Sequence, residues 1–139
     1  MKTEHQVIIS CVILNEQGQV LLGKRSMDED VFPGLWGIPG GKVETTITGP
    51  DTFEENLKRE TLEEMGIAVE IIGYLDSSAR VSDDKSKIYI IFLAKITSGE
   101  PKPLEDTVEV KWWNVADLEE SILTPKTLES IQKGVKYQA

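Results

Sequence analysis

Glu60, Glu63 and Glu64 lie in the run Arg59-Glu60-Thr61-Leu62-Glu63-Glu64-Met65-Gly66-Ile67, a short way after Gly40-Gly41-Lys42-Val43-Glu44. At about 100° per residue, these carboxylates share roughly a third of a helix circumference. Like charges that close repel, so helix stability gives no reason to gather them. A bound divalent cation removes the objection. Mg²⁺ takes carboxylate oxygens and keeps positions open for substrate phosphates. A Glu-rich solvated helix face is the plain alternative. The glycine pair and the tryptophan–proline loop before the helix favour the cation.

The elements that must position these acids are legible in outline. Residues 6–14 are rich in β-branched side chains and read as a buried strand. Asn15-Glu16-Gln17-Gly18 is turn chemistry, so residues 20–24 are expected as the second arm of a hairpin. Prolines and glycines break any regular element across residues 26–43. A helix is expected from about Thr52, where Thr52 and Glu55 match a capping box and Asp51 adds charge at the positive end. Gly66 is its natural stop. Residues 67–74, 87–96 and 109–113 read as strands, followed by a helical turn near residues 116–120. A last helix is expected over residues 125–134, with Pro125 in its first turn. With no repeat or linker, residues 1–139 are expected to form one α/β (α+β) domain, a mixed sheet sandwiched between helices.

Bulk properties narrow the function. A chain of 139 residues with 40% hydrophobic and 28% charged residues can bury a core without staples. One cysteine, Cys11, rules out an intrachain disulfide and fits a reducing compartment; its apolar surroundings make it a core residue. No apolar run approaches membrane-spanning length and the N-terminus lacks a signal-peptide core, so a cytoplasmic protein off the membrane is expected. A net charge of −9 repels nucleic-acid backbones and argues against such a partner. An acidic protein that handles phosphates must neutralise them locally, and metal on clustered glutamates would do so.

Residues 34–44, Gly-Leu-Trp-Gly-Ile-Pro-Gly-Gly-Lys-Val-Glu, with residues 59–67, resemble the Nudix box of the Nudix hydrolases, closest in style to MutT-like nucleoside triphosphate pyrophosphohydrolases. The order of strands and final helix fits that family over nearly the whole chain. The resemblance implies an α/β/α sandwich and a Mg²⁺-dependent reaction, with Mn²⁺ an admissible substitute. It implies a small nucleotide substrate, cleaved at a diphosphate linkage to a nucleoside monophosphate and pyrophosphate. It also implies catalytic and metal roles for Glu60, Glu63 and Glu64, a metal-binding carbonyl at Gly40, and Arg59 orienting a box glutamate. Glu105, Asp106 and Glu109 are candidates for a further acid or base, since the family often draws one from the loop before the last strand. Arg25 and Lys42 are candidates to meet phosphates. Trp36 is a candidate to stack on a base, with packing over the sheet the simpler role. Many members pair, so a homodimer is compatible.

Departures from the pattern bear on the substrate. Six residues, 45–50, stand between Glu44 and Asp51 where the family has two, a four-residue insertion that costs little stability. Asp51 takes the place of the box's second glutamate, and Thr61 that of an apolar residue. The segment Leu123-Thr124-Pro125-Lys126-Thr127 lacks the asparagine used by 8-oxoguanine-specific members. An ADP-ribose or nucleotide-sugar pyrophosphatase and a non-catalytic nucleotide sensor are the rival readings; sensors usually lose box glutamates, and this chain keeps all three.

Overall fold

The structure, a computed structural model, describes residues 4–82 and 85–138. Strand β1 (Glu4–Ile13) runs parallel to β6 (Lys85–Ser98) and antiparallel to β4 (Gly40–Lys42), and β5 (Ala68–Ser82) completes a mixed sheet ordered β4-β1-β6-β5. A second, antiparallel sheet is ordered β3-β2-β7, from β3 (Trp36–Gly37), β2 (Val20–Arg25) and β7 (Thr107–Trp113). Helix α1 (Thr52–Met65) follows β4, and α2 (Thr127–Gln138) closes the described chain. Among the described residues, no helix is long and apolar enough to cross a membrane.

The two-residue period of the strands splits the core into two halves. Ile9, Cys11 and Ile13 of β1, with Leu21 and Ala94, pack against Leu57 and Met65 of α1. The alternate residues Val12, Val20, Leu22 and Leu93 join Ile131 of α2 in the other half. The mixed sheet therefore lies between two helices, as the strand and helix pattern implies. Burial pushes the Cys11 thiol well above its ordinary value, which suits a core residue and not a nucleophile.

Several local expectations fail for identifiable reasons. The 15–18 turn forms, with the Gly18 N–H donating to the Asn15 carbonyl at 3.0 Å. Its arms share only an isolated Leu14–Val20 bridge and then enter different sheets, so no hairpin results. The capping box is also absent. Asp51 is the N-cap in a left-handed conformation (φ 60°) with no side-chain bond to the helix, and the Thr52 hydroxyl donates instead to the Ile47 carbonyl at 2.7 Å. Lys126 is left-handed as well (φ 63°), so Pro125 stands outside α2, which begins at Thr127. Strands β5 and β6 run further than apolar patterning suggests. Past Tyr74 the polar run Asp76, Ser77, Ser78 is held by pairing with Ile91, Ile90 and Tyr89.

Candidate active site

The C-terminal half of α1 carries the acids, and neighbouring backbone completes its end. A helix leaves its last carbonyls unpaired. Here Gly66, left-handed at φ 68°, caps Leu62, and the N–H groups of Leu104 and Lys102 donate to the carbonyls of Glu64 and Met65, each at 3.0 Å. No basic residue stands in the last turn, so Glu63 and Glu64 face the negative end of the helix dipole uncompensated from within the helix. Fold stability does not explain that placement.

Strand β4 meets the acids from the opposite side. A Cβ on Gly41 would fall 2.5 Å from the Glu60 carboxyl carbon, and one on Gly40 would run into the Ile9 carbonyl oxygen. Only glycines let the strand pass between β1 and the carboxylates. The Gly40 N–H stands near enough to Glu64 to favour its charged form.

Arg59 organises the carboxylates. Its guanidinium donates to Glu60 at 2.9 Å through Nη2 and to Glu63 at 3.0 Å through Nη1, and Glu44 lies 3.8 Å from Nη1. Burial opposes its charge, but Glu60 foremost, then Glu44 and Glu63, raise its pKa above the ordinary value. Glu60 is nearly enclosed, its side chain 13% exposed, whereas Glu63 is 43% exposed.

Glu60 and Glu64 perturb one another, and both carboxyls hold their protons above the ordinary range. Burial is the main cause of both raised pKa values. For Glu64, burial, the charge of Glu60 and the more distant Glu105 push the carboxyl up to about 8, against the Gly40 N–H. For Glu60, burial and Glu63 outweigh the opposing pull of Arg59.

Among the described residues, no three His, Cys, Asp or Glu groups converge closely enough to form a ready cation cage. Glu63 is drawn to the Arg59 side, which leaves Glu60 and Glu64 as the close pair. Two half-buried carboxyls with raised pKa values are a hard-oxygen donor set whose charge a divalent cation would stabilise, so the residues fit Mg²⁺.

Of the three candidate acids beyond the helix, Glu105 is the one whose charge reaches Glu64. It sits in a turn fixed to the end of α1 and is held left-handed at φ 51°, a costly conformation for glutamate. Asp106 offers its carbonyl to the Ser26 N–H, and Glu109 pairs in register with Lys24 on the second sheet. Arg25 donates to the Val31 carbonyl at 2.9 Å and meets Glu29 at 3.5 Å, so it braces its own loop. Lys42 is exposed, and its carbonyl accepts from Arg59 at 3.4 Å. Trp36 is 8% exposed and packs edge-on against Trp113, with ring centres 5.2 Å apart.

Sequence reasoning missed Asn56, which is fully buried beside Arg59. The available signal was its place four residues before Glu60 and eight before Glu64, on the same helix stripe.

A family model described as the NUDIX domain matches residues 4–135. Nucleoside triphosphatase NudI of Escherichia coli strain K12 is 33% identical over 137 residues, covering 88% of this chain and 94% of the relative. The crystal structure of a MutT NUDIX hydrolase from Burkholderia pseudomallei superposes with a TM-score of 0.78 at 28% identity, covering 94% of this chain and 98% of that one. The NUDIX domain of Shewanella oneidensis NrtR, solved with ADP ribose, shares the fold with a TM-score of 0.74 at 21% identity, covering 100% of this chain and 90% of that one.

Proposed function

We propose a reaction from one premise: the chain belongs to the Nudix hydrolase family and is a hydrolase of phosphorus-containing anhydrides. It cleaves a diphosphate linkage in a nucleoside triphosphate, releasing a nucleoside monophosphate and pyrophosphate. The choice of a triphosphate rests on the NudI relatives, which match over most of both chains. The observation that carries the site is the half-buried pair of Glu60 and Glu64 at the end of α1, with Glu60 pressed against Gly41 and held by Arg59.

In this reading Glu60 and Glu64 hold Mg²⁺, with Glu63 and the Gly40 carbonyl as further donors. The metal, when bound, neutralises phosphate charge and lowers the pKa of water. Arg59 fixes the Glu60 rotamer and holds Glu63 to its own side of the site. Glu105, held in its turn at the end of α1, accepts the proton of the attacking water. Catalysis is chiefly positioning and charge stabilisation. Exposed Lys42 meets the phosphates as they enter.

The test is a panel of nucleoside triphosphates, ADP-ribose and nucleotide sugars with Mg²⁺, with products identified by mass. A monophosphate and pyrophosphate from a triphosphate support the reading. Turnover of ADP-ribose or nucleotide sugars alone overturns the substrate class. Full Mg²⁺-dependent turnover by Glu64→Gln overturns the site.

A further inference from the structure

We propose that Asn56 is a positioning residue that aligns Arg59 with the α1 carboxylates and couples that alignment to the inserted loop, residues 45–50. The inference rests on the reading of Arg59 and the glutamates given above. Asn56 is fully buried, and a buried amide is costly unless its polar atoms are matched. Here they are matched across three segments. Its Oδ1 accepts from the Glu44 N–H at 2.9 Å and from Arg59 Nη2 at 3.2 Å. Its Nδ2 donates to the Thr52 carbonyl at 2.7 Å. Thr52 in turn reaches back to Ile47 at 2.7 Å. One side chain thus ties the exit of β4, the lengthened loop and the first turn of α1 to the arginine.

The geometry at Arg59 explains why this acceptor matters. Nη2 carries two hydrogens, and its two shortest partners are Glu60 at 2.9 Å and Asn56 at 3.2 Å. Asn56 takes one and leaves the other aimed at Glu60. Without the Asn56 oxygen, the guanidinium can turn about its long side chain toward exposed Glu63 and Glu44, and Glu60 loses its fixed donor. The longer loop imposes the same demand. The Thr52 hydroxyl is spent on Ile47 and Asp51 makes no side-chain cap, so Asn56 holds the loop's start at Glu44.

The experiment is a double-mutant cycle of Asn56→Ala and Arg59→Ala. It reads Mg²⁺-dependent hydrolysis of an equimolar mixture of the four deoxynucleoside triphosphates and, separately, the Mg²⁺ concentration that half-saturates the thermal shift. Asn56→Ala is expected to lower kcat and weaken the Mg²⁺ response by about 10- to 100-fold, as losses of supporting hydrogen bonds around metal sites do, with KM little changed. The double variant is expected to be no worse than Arg59→Ala alone, because Asn56 acts through Arg59. Asn56→Asp keeps the acceptor toward Arg59 but loses the donor to the Thr52 carbonyl, so it is expected to be less stable than the parent and yet to turn over faster than Asn56→Ala. Losses that multiply in the double variant, or an Asn56→Asp as slow as Asn56→Ala, overturn the proposal. If Asn56→Ala does not fold, Asn56→Ser carries the same cycle. A parent-like Arg59→Ala, or a parent with neither turnover nor Mg²⁺ shift, refutes the site reading itself.

Discussion

The carboxylate of Glu60 occupies the space that a Cβ on Gly41 would need, 2.5 Å from its carboxyl carbon. This contact joins the two halves of the motif, since β4 and α1 can approach only where the strand has no side chain. Gly41→Ala is therefore expected to displace the Glu60 carboxyl and break its bond with Arg59. Stability should fall by about 1–3 kcal/mol, the usual cost of overpacking. Mg²⁺-dependent turnover should fall much further than that loss of folded protein explains. Thermal unfolding beside kinetics checks it, and an active Gly41→Ala would mean that the contact is incidental.

The Glu60–Glu64 pair makes stability depend on pH in a direction opposite to that of a carboxylate whose pKa an ion pair lowers. An acid whose pKa rises on folding binds its proton more tightly in the folded chain. Its contribution is fully present below the ordinary value of 4.5 and is lost as pH rises through about 8. In the presence of a chelator, the unfolding temperature should therefore decline over roughly pH 5 to 9. Glu64→Gln, neutral throughout, should flatten that decline. Mg²⁺ should offset it at the alkaline end by taking the proton's place. An equal decline in parent and variant would assign the effect to other groups.

Trp36 provides a test of packing against substrate stacking. Its burial against Trp113 and within the cluster of Val20, Leu22 and Ile131 predicts that Trp36→Ala costs about 3–5 kcal/mol. Trp36→Phe should keep much of the packing and leave the nucleotide KM at the parent value. A KM that rises in a stably folded Trp36→Phe would return the ring to the substrate site.

How far the sequence could be read depends on whether a feature is local. The three helix acids, the stop at Gly66 and the close passage of Gly40 and Gly41 follow from residue type and spacing, and the structure has each of the local features. The pairing of β2 with β7 instead of β1 does not, because the two arms of a tight turn carry no mark of which sheet each will join. Thr52 likewise matches a capping pattern, but a longer-range acceptor at Ile47 competes for its hydroxyl and wins. Glu60, Glu63 and Glu64 look equivalent by helical angle. They separate only because Arg59 draws Glu63 outward and β4 encloses Glu60. Asn56 is silent in sequence because the Glu44 N–H that its oxygen accepts comes from beyond α1, although Thr52 and Arg59 lie on its own helix.

Glu105 is strained, and its proposed role as base gives a prediction of unusual sign. A left-handed glutamate costs about 1 kcal/mol or more relative to glycine, and such outliers persist where surrounding structure enforces them. The turn is enforced by the Leu104 and Lys102 bonds to the end of α1 and by the Thr107 N–H donating to the Leu104 carbonyl at 3.1 Å. Glu105→Gly should relieve the strain and lift one source of negative charge from Glu64, so the variant should unfold at a higher temperature than the parent. As the proposed base, the same residue should be needed for turnover, and its loss should slow kcat by about 10²- to 10⁴-fold. Stabilisation with loss of activity identifies a residue kept for chemistry at the expense of the fold. A Glu105→Gly that is more stable and fully active would leave the strain unexplained and pass the role of base to Asp106 or Glu109.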